Sequence, residues 1–117
     1  MKANELRIGN LVNYYMGAPM SENILTKVEW KDLKNIGSGD KNYEPIPLTP
    51  EWLERFGFEH YANEWYKKGK FWISDTGIAG ITKASGEDVN IETSTEHVHQ
   101  LQNLYFALTG EELTLNN

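Results

Sequence analysis

The stretch from Thr93 to Leu113, TSTEHVHQLQNLYFALTGEEL, constrains the fold of this chain more than any other, because it is the one long helical pattern present. Val98, Leu101, Leu104, Tyr105 and Leu108 recur at the three- and four-residue spacing that places them on one face of an amphipathic helix. Thr93 followed by Glu96 fits a capping box, and Gly110 suits the left-handed residue that closes a helix. A helix over residues 94–109 is therefore expected, and the rest of the chain needs its apolar stripe to pack on.

At 117 residues the chain is long enough for one domain that buries about two thirds of its unfolded surface. It has no cysteine, so disulfides and thiolate metal sites are excluded, which suits a reducing, cytoplasmic setting. No stretch has the apolar length of a signal peptide or a bilayer span. The formal charge of −6 argues against duplex nucleic acid as a partner, since that mode requires many cations on phosphates.

Within that single domain, residues 5–48 read as an N-terminal β unit. Leu6 and Ile8 alternate with Arg7, Gly9-Asn10 breaks the run, and Leu11 to Tyr15 resumes it. Met16 to Asn23 reads as a loop, and Ile24 to Trp30 as a second strand. Lys31 to Ile36 has room for one helical turn before Gly37-Ser38-Gly39-Asp40, whose glycines lack the Lys-Ser/Thr continuation of a phosphate loop. Pro45 and Pro47 confine Tyr43 to Leu48 to a sheet edge. A short helix over 50–56 follows, with Thr49 as N-cap, Pro50 in the first helical position and Gly57 as its stop.

Residues 58–91 read as a four-strand meander. In its central hairpin either a two-residue Lys68-Gly69 turn or a four-residue loop sets Tyr66 opposite Phe71 and Trp65 opposite Trp72. Alternation then puts Tyr66, Phe71 and Ile73 on one face, and Trp65, Trp72, Lys67 and Lys70 on the other. The whole is an α+β domain: an antiparallel meander or small barrel-like sheet with one short helix and one long C-terminal helix packed on it.

LRIGNLV (6–12), YEPIPLTPEWLERFGF (43–58) and VHQLQNLYFALTGEEL (98–113), in that order, resemble a family of short proteins carried by phages, prophages and other mobile elements of gut bacteria. The resemblance implies a mobile-element setting and a single small domain. It brings no activity with it.

Two constellations point to a ligand surface. The hairpin face of Trp65, Trp72, Lys67 and Lys70 sets indoles beside ammonium groups, the combination that stacks a flat ring and pairs its phosphate; the plainer reading is that the indoles strengthen the hairpin and the lysines guard an edge. The helix face opposite the apolar stripe carries His99, Gln100, Gln102, Asn103 and Phe106 where Lys and Glu pairs are usual, and it suits a polar ligand, a second subunit or internal pairing with the N-terminal strands.

His97, His99 and His60 lack the four-residue spacing of a helical metal pair, so no metal is expected. No serine sits in the pattern of a nucleophile elbow, and no cofactor or enzyme activity is expected. The reading is a non-enzymatic accessory protein that binds a nucleotide-type ligand, likened to sequestration of a host-defence signal. Trp65, Trp72 or Tyr66 stack the ring, Lys67, Lys70 and Arg7 hold phosphate, and His99, Gln100 and Asn103 fix orientation. A homo-oligomer would deepen such a pocket. The alternative is a module that docks on a host or phage protein through an apolar patch with an acidic rim.

Overall fold

The computed structural model describes residues 2–15 and 23–115. Their order is β1 (Leu11–Tyr15), β2 (Asn23–Lys27), α1 (Trp30–Gly37), β3 (Tyr43–Glu44), α2 (Pro50–Arg55), β4 (Glu59–Ala62), β5 (Trp65–Lys68), β6 (Phe71–Ser74), β7 (Ile78–Thr82), β8 (Asp88–Ser94) and α3 (Val98–Thr109), after a 3-10 turn at Ala3–Glu5. The fold is α+β, with two antiparallel sheets in the orders β2-β1-β3 and β4-β5-β6-β7-β8. The loop expected over Met16 to Asn23 lies outside the described residues, apart from Asn23, which opens β2.

Several expectations shift by a few residues, each for a local reason. The N-terminal run is no strand at Leu6 to Ile8: a turn with Gly9 at φ 97° intervenes, and pairing begins at Leu11. The second strand stops at Lys27 because Glu29 starts a helix, its N–H donating to Asp32 Oδ2 at 2.8 Å. α1 is thus two turns rather than one, and Trp30, expected in the strand, stands 72% exposed at its head.

The proline segment is an edge, as its missing donors require. Tyr43 and Glu44 pair with β1; beyond them the Leu48 N–H donates to Glu96 O at 2.9 Å, and the Val98 N–H donates to Ile46 O at 2.9 Å. This strap and the sheet together take the residues expected to begin the long helix. Ser94 pairs with Ile78, and the Thr95 N–H donates to Gly77 O at 3.0 Å, so Thr93 and Ser94 belong to β8. Helix α3 therefore starts four residues later than expected. Its head is satisfied by Gln100, whose Oε1 accepts from Glu96 N at 2.9 Å and His97 N at 3.0 Å. Its end is as expected, with Gly110 at φ 75° and the Gly110 N–H on Phe106 O at 2.8 Å.

The meander has five strands, not four, and it stays open, with β4 and β8 as edges. β4 joins β5 through Asn63-Glu64, Asn63 taking φ 46°. The central hairpin turns through Gly69-Lys70, so Lys68 faces Phe71, Lys67 faces Trp72 and Tyr66 faces Ile73. This register is two residues from the expected one, because Gly69 at φ 60° serves as the first of the two turn residues, not the second. An even shift leaves every side chain on its expected face.

The inner face of this sheet packs on α2 and α3. Phe58, Phe71 and Tyr105 meet edge to face, with ring centroids 5.3 to 6.2 Å apart, among buried Leu53, Phe56, Ile73, Val98 and Leu101. A side chain such as Phe71, fully buried, contributes roughly 1.5–3 kcal/mol by leaving water. A smaller core of Leu6, Val12, Val28, Ile36 and Tyr43 holds the N-terminal sheet to α1.

Candidate functional site

With the inner face of the five-stranded sheet committed to α3, its outer face is left to solvent. Alternation places Trp65 and Lys67 of β5 and Trp72 of β6 there, since their neighbours Tyr66, Phe71 and Ile73 are buried in the core. These residues, with Tyr61, Lys70, Thr82 and Asp88, line a hollow of about 350 Å³. That is the size range of small-molecule sites.

The walls are ordered by the strands. Trp65 and Trp72 meet edge to face at 5.4 Å and 79°, forming a right-angled corner. Trp72 faces Gly80 across β6 and β7, and its indole lies where a Gly80 side chain would project. Trp72 Nε1 is buried and has no hydrogen-bond partner among the described residues. Lys67 Nζ sits 5.4 Å from the Tyr61 ring centroid. At the other end the Thr82 hydroxyl donates to Asp88 Oδ1 at 2.7 Å. An indole corner, two ammonium groups and one oriented carboxylate can stack a flat ring, hold an anion and accept from a donor.

Of the residues expected to bind, Trp65, Lys67, Lys70 and Trp72 converge on this hollow. The other five do not. Tyr66 faces the core, 8% exposed, because its strand alternates. His99 is 2% exposed within the α3 interface, its ring parallel to that of His97 at 5.8 Å, and burial lowers its pKa from the ordinary value. Gln100 is spent on the α3 head. Asn103 accepts from Arg7 Nε at 2.7 Å and from Asn10 Nδ2 at 2.9 Å, and donates to Glu5 O at 3.0 Å. Arg7 is consumed by Asn103, by the Gln102 carbonyl at 3.2 Å and by Glu112 at 2.6 Å, with its guanidinium 4.6 Å over Phe106. The polar face of α3 is thus an internal seam between the helix and the N-terminal segment, the expected alternative to a ligand surface.

Tyr61, Thr82 and Asp88 were not foreseen. Reading Asn63-Glu64 as a turn would have revealed β4, but it sets Ala62 against Trp65 and Tyr61 against core-facing Tyr66; only the bulge between His60 and Ala62 brings Tyr61 to the hollow. Thr82 and Asp88 come together only through the β7 to β8 pairing, which residue spacing alone does not specify.

No family model, curated protein or solved structure matches the chain. Among the described residues no helix is long and apolar enough to cross a membrane, and no group of three or more His, Asp or Glu is placed to hold a metal ion.

Proposed function

We propose that the chain is a non-enzymatic binding protein whose outer sheet face takes a small, flat-ringed anion of nucleotide type. The observation that carries this reading is the convergence of Trp65, Trp72, Tyr61, Lys67 and Lys70 on one hollow. Stacking on an exposed aromatic ring is worth about 1–3 kcal/mol per base, and two lysines supply the charge that a phosphate needs. The mobile-element resemblance gives the reading its setting: an accessory protein, working in the host cytoplasm, that sequesters a nucleotide signal of host defence. A second copy closing over the open side would deepen the site.

The test is titration of intrinsic tryptophan fluorescence, checked by calorimetry, with a panel of nucleotides at moderate salt. Saturable quenching that is lost in Trp65→Ala, while circular dichroism and melting stay near those of the parent, supports the reading. Trp65 suits this test better than Trp72, which is wedged against Gly80 and contributes to the sheet. A flat response across the panel with the fold intact overturns it.

One observation favours the docking alternative. Ile8, Ile24, Leu25 and Trp30, all in the N-terminal half, are 43 to 72% exposed. A host or phage protein recovered on the wild-type chain and lost with Trp30→Ala and Leu25→Ser would support that role.

A further inference from the structure

The charge balance of the hollow goes further than the aromatic corner. Resting on the ligand reading above, the geometry points to a phosphodiester as the bound anion, a group with one negative charge and a substituent on each side, and not to a terminal phosphomonoester.

The first ground is order. The lining residues follow the strands, from Tyr61 on β4 and Trp65 on β5, through Lys67 and the Lys70 turn, to Thr82 on β7 and Asp88 on β8. Four inter-strand steps of about 4.8 Å separate β4 from β8, roughly 19 Å across. Lys70 sits beside the far pair, since its carbonyl accepts from the Thr82 N–H at 2.8 Å. Lys67 leans on the Tyr61 ring at 5.4 Å and Lys70 lies by Thr82, with Trp72 of β6 beside Lys67, so the two lysines bridge from the aromatic wall near β4 toward the acceptor pair on β7 and β8. An anion held by them has room for a group on either side, as a bridging phosphate does and a terminal one does not.

The second ground is charge. Two lysines against one carboxylate leave the hollow with a single positive charge. Glu59 faces Lys67 across β4 and β5 and weakens even that field, in a chain of formal charge −6. A phosphodiester carries one negative charge at pH 7, whereas a monoester carries about 1.5 to 2, its second ionisation lying near pH 6. The added charge would face Asp88 with no third cation among the residues that line the hollow.

The third ground is the carboxylate itself. The Thr82 hydroxyl fixes Asp88 Oδ1, and Oδ2 has no partner among the described residues. An ionised carboxylate accepts only, so the group beyond the phosphate must bring donors, a sugar hydroxyl or a base amine.

Adenosine 3′,5′-cyclic monophosphate and adenosine 5′-monophosphate serve as probes differing by about one charge on the same nucleoside, with the linear diadenosine phosphodiester as the extended case. At pH 7.5 the two diesters are expected to bind about tenfold or more tighter than the monoester. Asp88→Asn, which keeps an acceptor for Thr82, should narrow that gap by strengthening monoester binding. Lowering the pH to 5.5 should narrow it in the parent, because the monoester gains a proton. Lys67→Gln or Lys70→Gln should weaken both kinds of probe. A monoester that binds the parent as tightly as the diesters at pH 7.5 overturns the phosphodiester assignment and leaves the nucleotide surface standing. Failure of every probe to bind a folded parent overturns both.

Discussion

The Leu11 N–H donates to Gln102 Oε1 at 2.8 Å, a bond that ties the first residue of β1 to the middle of α3 across 91 residues of sequence. Both residues are buried, and the same amide reaches back through Nε2 to the Gly9 carbonyl at 3.3 Å. The three-stranded sheet is thus pinned to the helix that carries the five-stranded one. Gln102→Leu keeps the approximate volume and strands the Leu11 N–H away from water, which costs about 1–3 kcal/mol. A chain of this length should lose about 4–15 °C of melting midpoint, read by circular dichroism. A midpoint within about 1 °C of the parent would show that the bond contributes nothing net.

Arg7 belongs to the same seam, and its role separates from ligand binding. Its guanidinium serves three acceptors and stacks on Phe106, a geometry that the ammonium of lysine cannot reproduce. The Glu112 pair is partly solvated, so most of the loss comes from Asn103 and the Gln102 carbonyl. Arg7→Lys should cost about 1 kcal/mol in urea unfolding and leave the affinity of the outer hollow unchanged. A loss of ligand affinity as large as that of Lys67→Gln would return Arg7 to the binding surface.

What the sequence reveals about this molecule follows how local each cause is. The Thr49-Pro50 start of α2, the Gly110 end of α3 and the indole and lysine face of the hairpin are all legible, because capping, left-handed glycine and two-residue alternation act within a few residues. The start of α3 is not. A capping pattern at Thr93 and Glu96 is present, but Ile78, Gly77, Ile46 and Leu48 claim those backbone groups for sheet and strap. Likewise His99, Gln100 and Asn103 are assigned to a ligand from the sequence, on a face that also carries Gln102 and that suits internal pairing equally. The partners of Gln102 and Asn103, at Gly9, Leu11 and Arg7, lie more than ninety residues away in sequence, those of Gln100 are at the helix head itself, and His99 is buried with Nδ1 unpaired among the described residues. A polar helix face announces that it needs partners without saying whether they are inside the molecule.

Gly80 tests how the hollow is built. Its φ lies outside the left-handed region, so the need for glycine there is purely steric: a Cβ would meet the Trp72 ring and the Val89 carbonyl. Gly80→Ala must push the indole outward or spread β7 from β8, an overpacking cost of about 1–3 kcal/mol. The near-ultraviolet dichroism of the Trp65 and Trp72 corner should change, and ligand quenching should weaken with it. Unchanged tryptophan spectra together with parental stability would mean that Trp72 is not seated on Gly80.

His99 makes the chain sensitive to mild acid. Burial lowers its pKa below the ordinary value of 6.5; Glu5 opposes that shift in part and His97 adds to it. The unfolded chain therefore takes up its proton at a higher pH than the folded one. Well above pH 6.5 the imidazole is neutral in both states and carries no penalty. As the pH falls from there toward the folded pKa, the unfolded state binds the extra proton, and stability drops by at most about 1.4 kcal/mol per pH unit for this one group. Urea midpoints should accordingly be nearly flat from pH 8 to 7 and decline as the pH falls below about 6.5. His99→Gln has no titrating ring at that position, so its midpoint should decline less steeply than the parent's even where its absolute stability is lower. A decline of equal slope in both chains would assign the effect to groups other than His99.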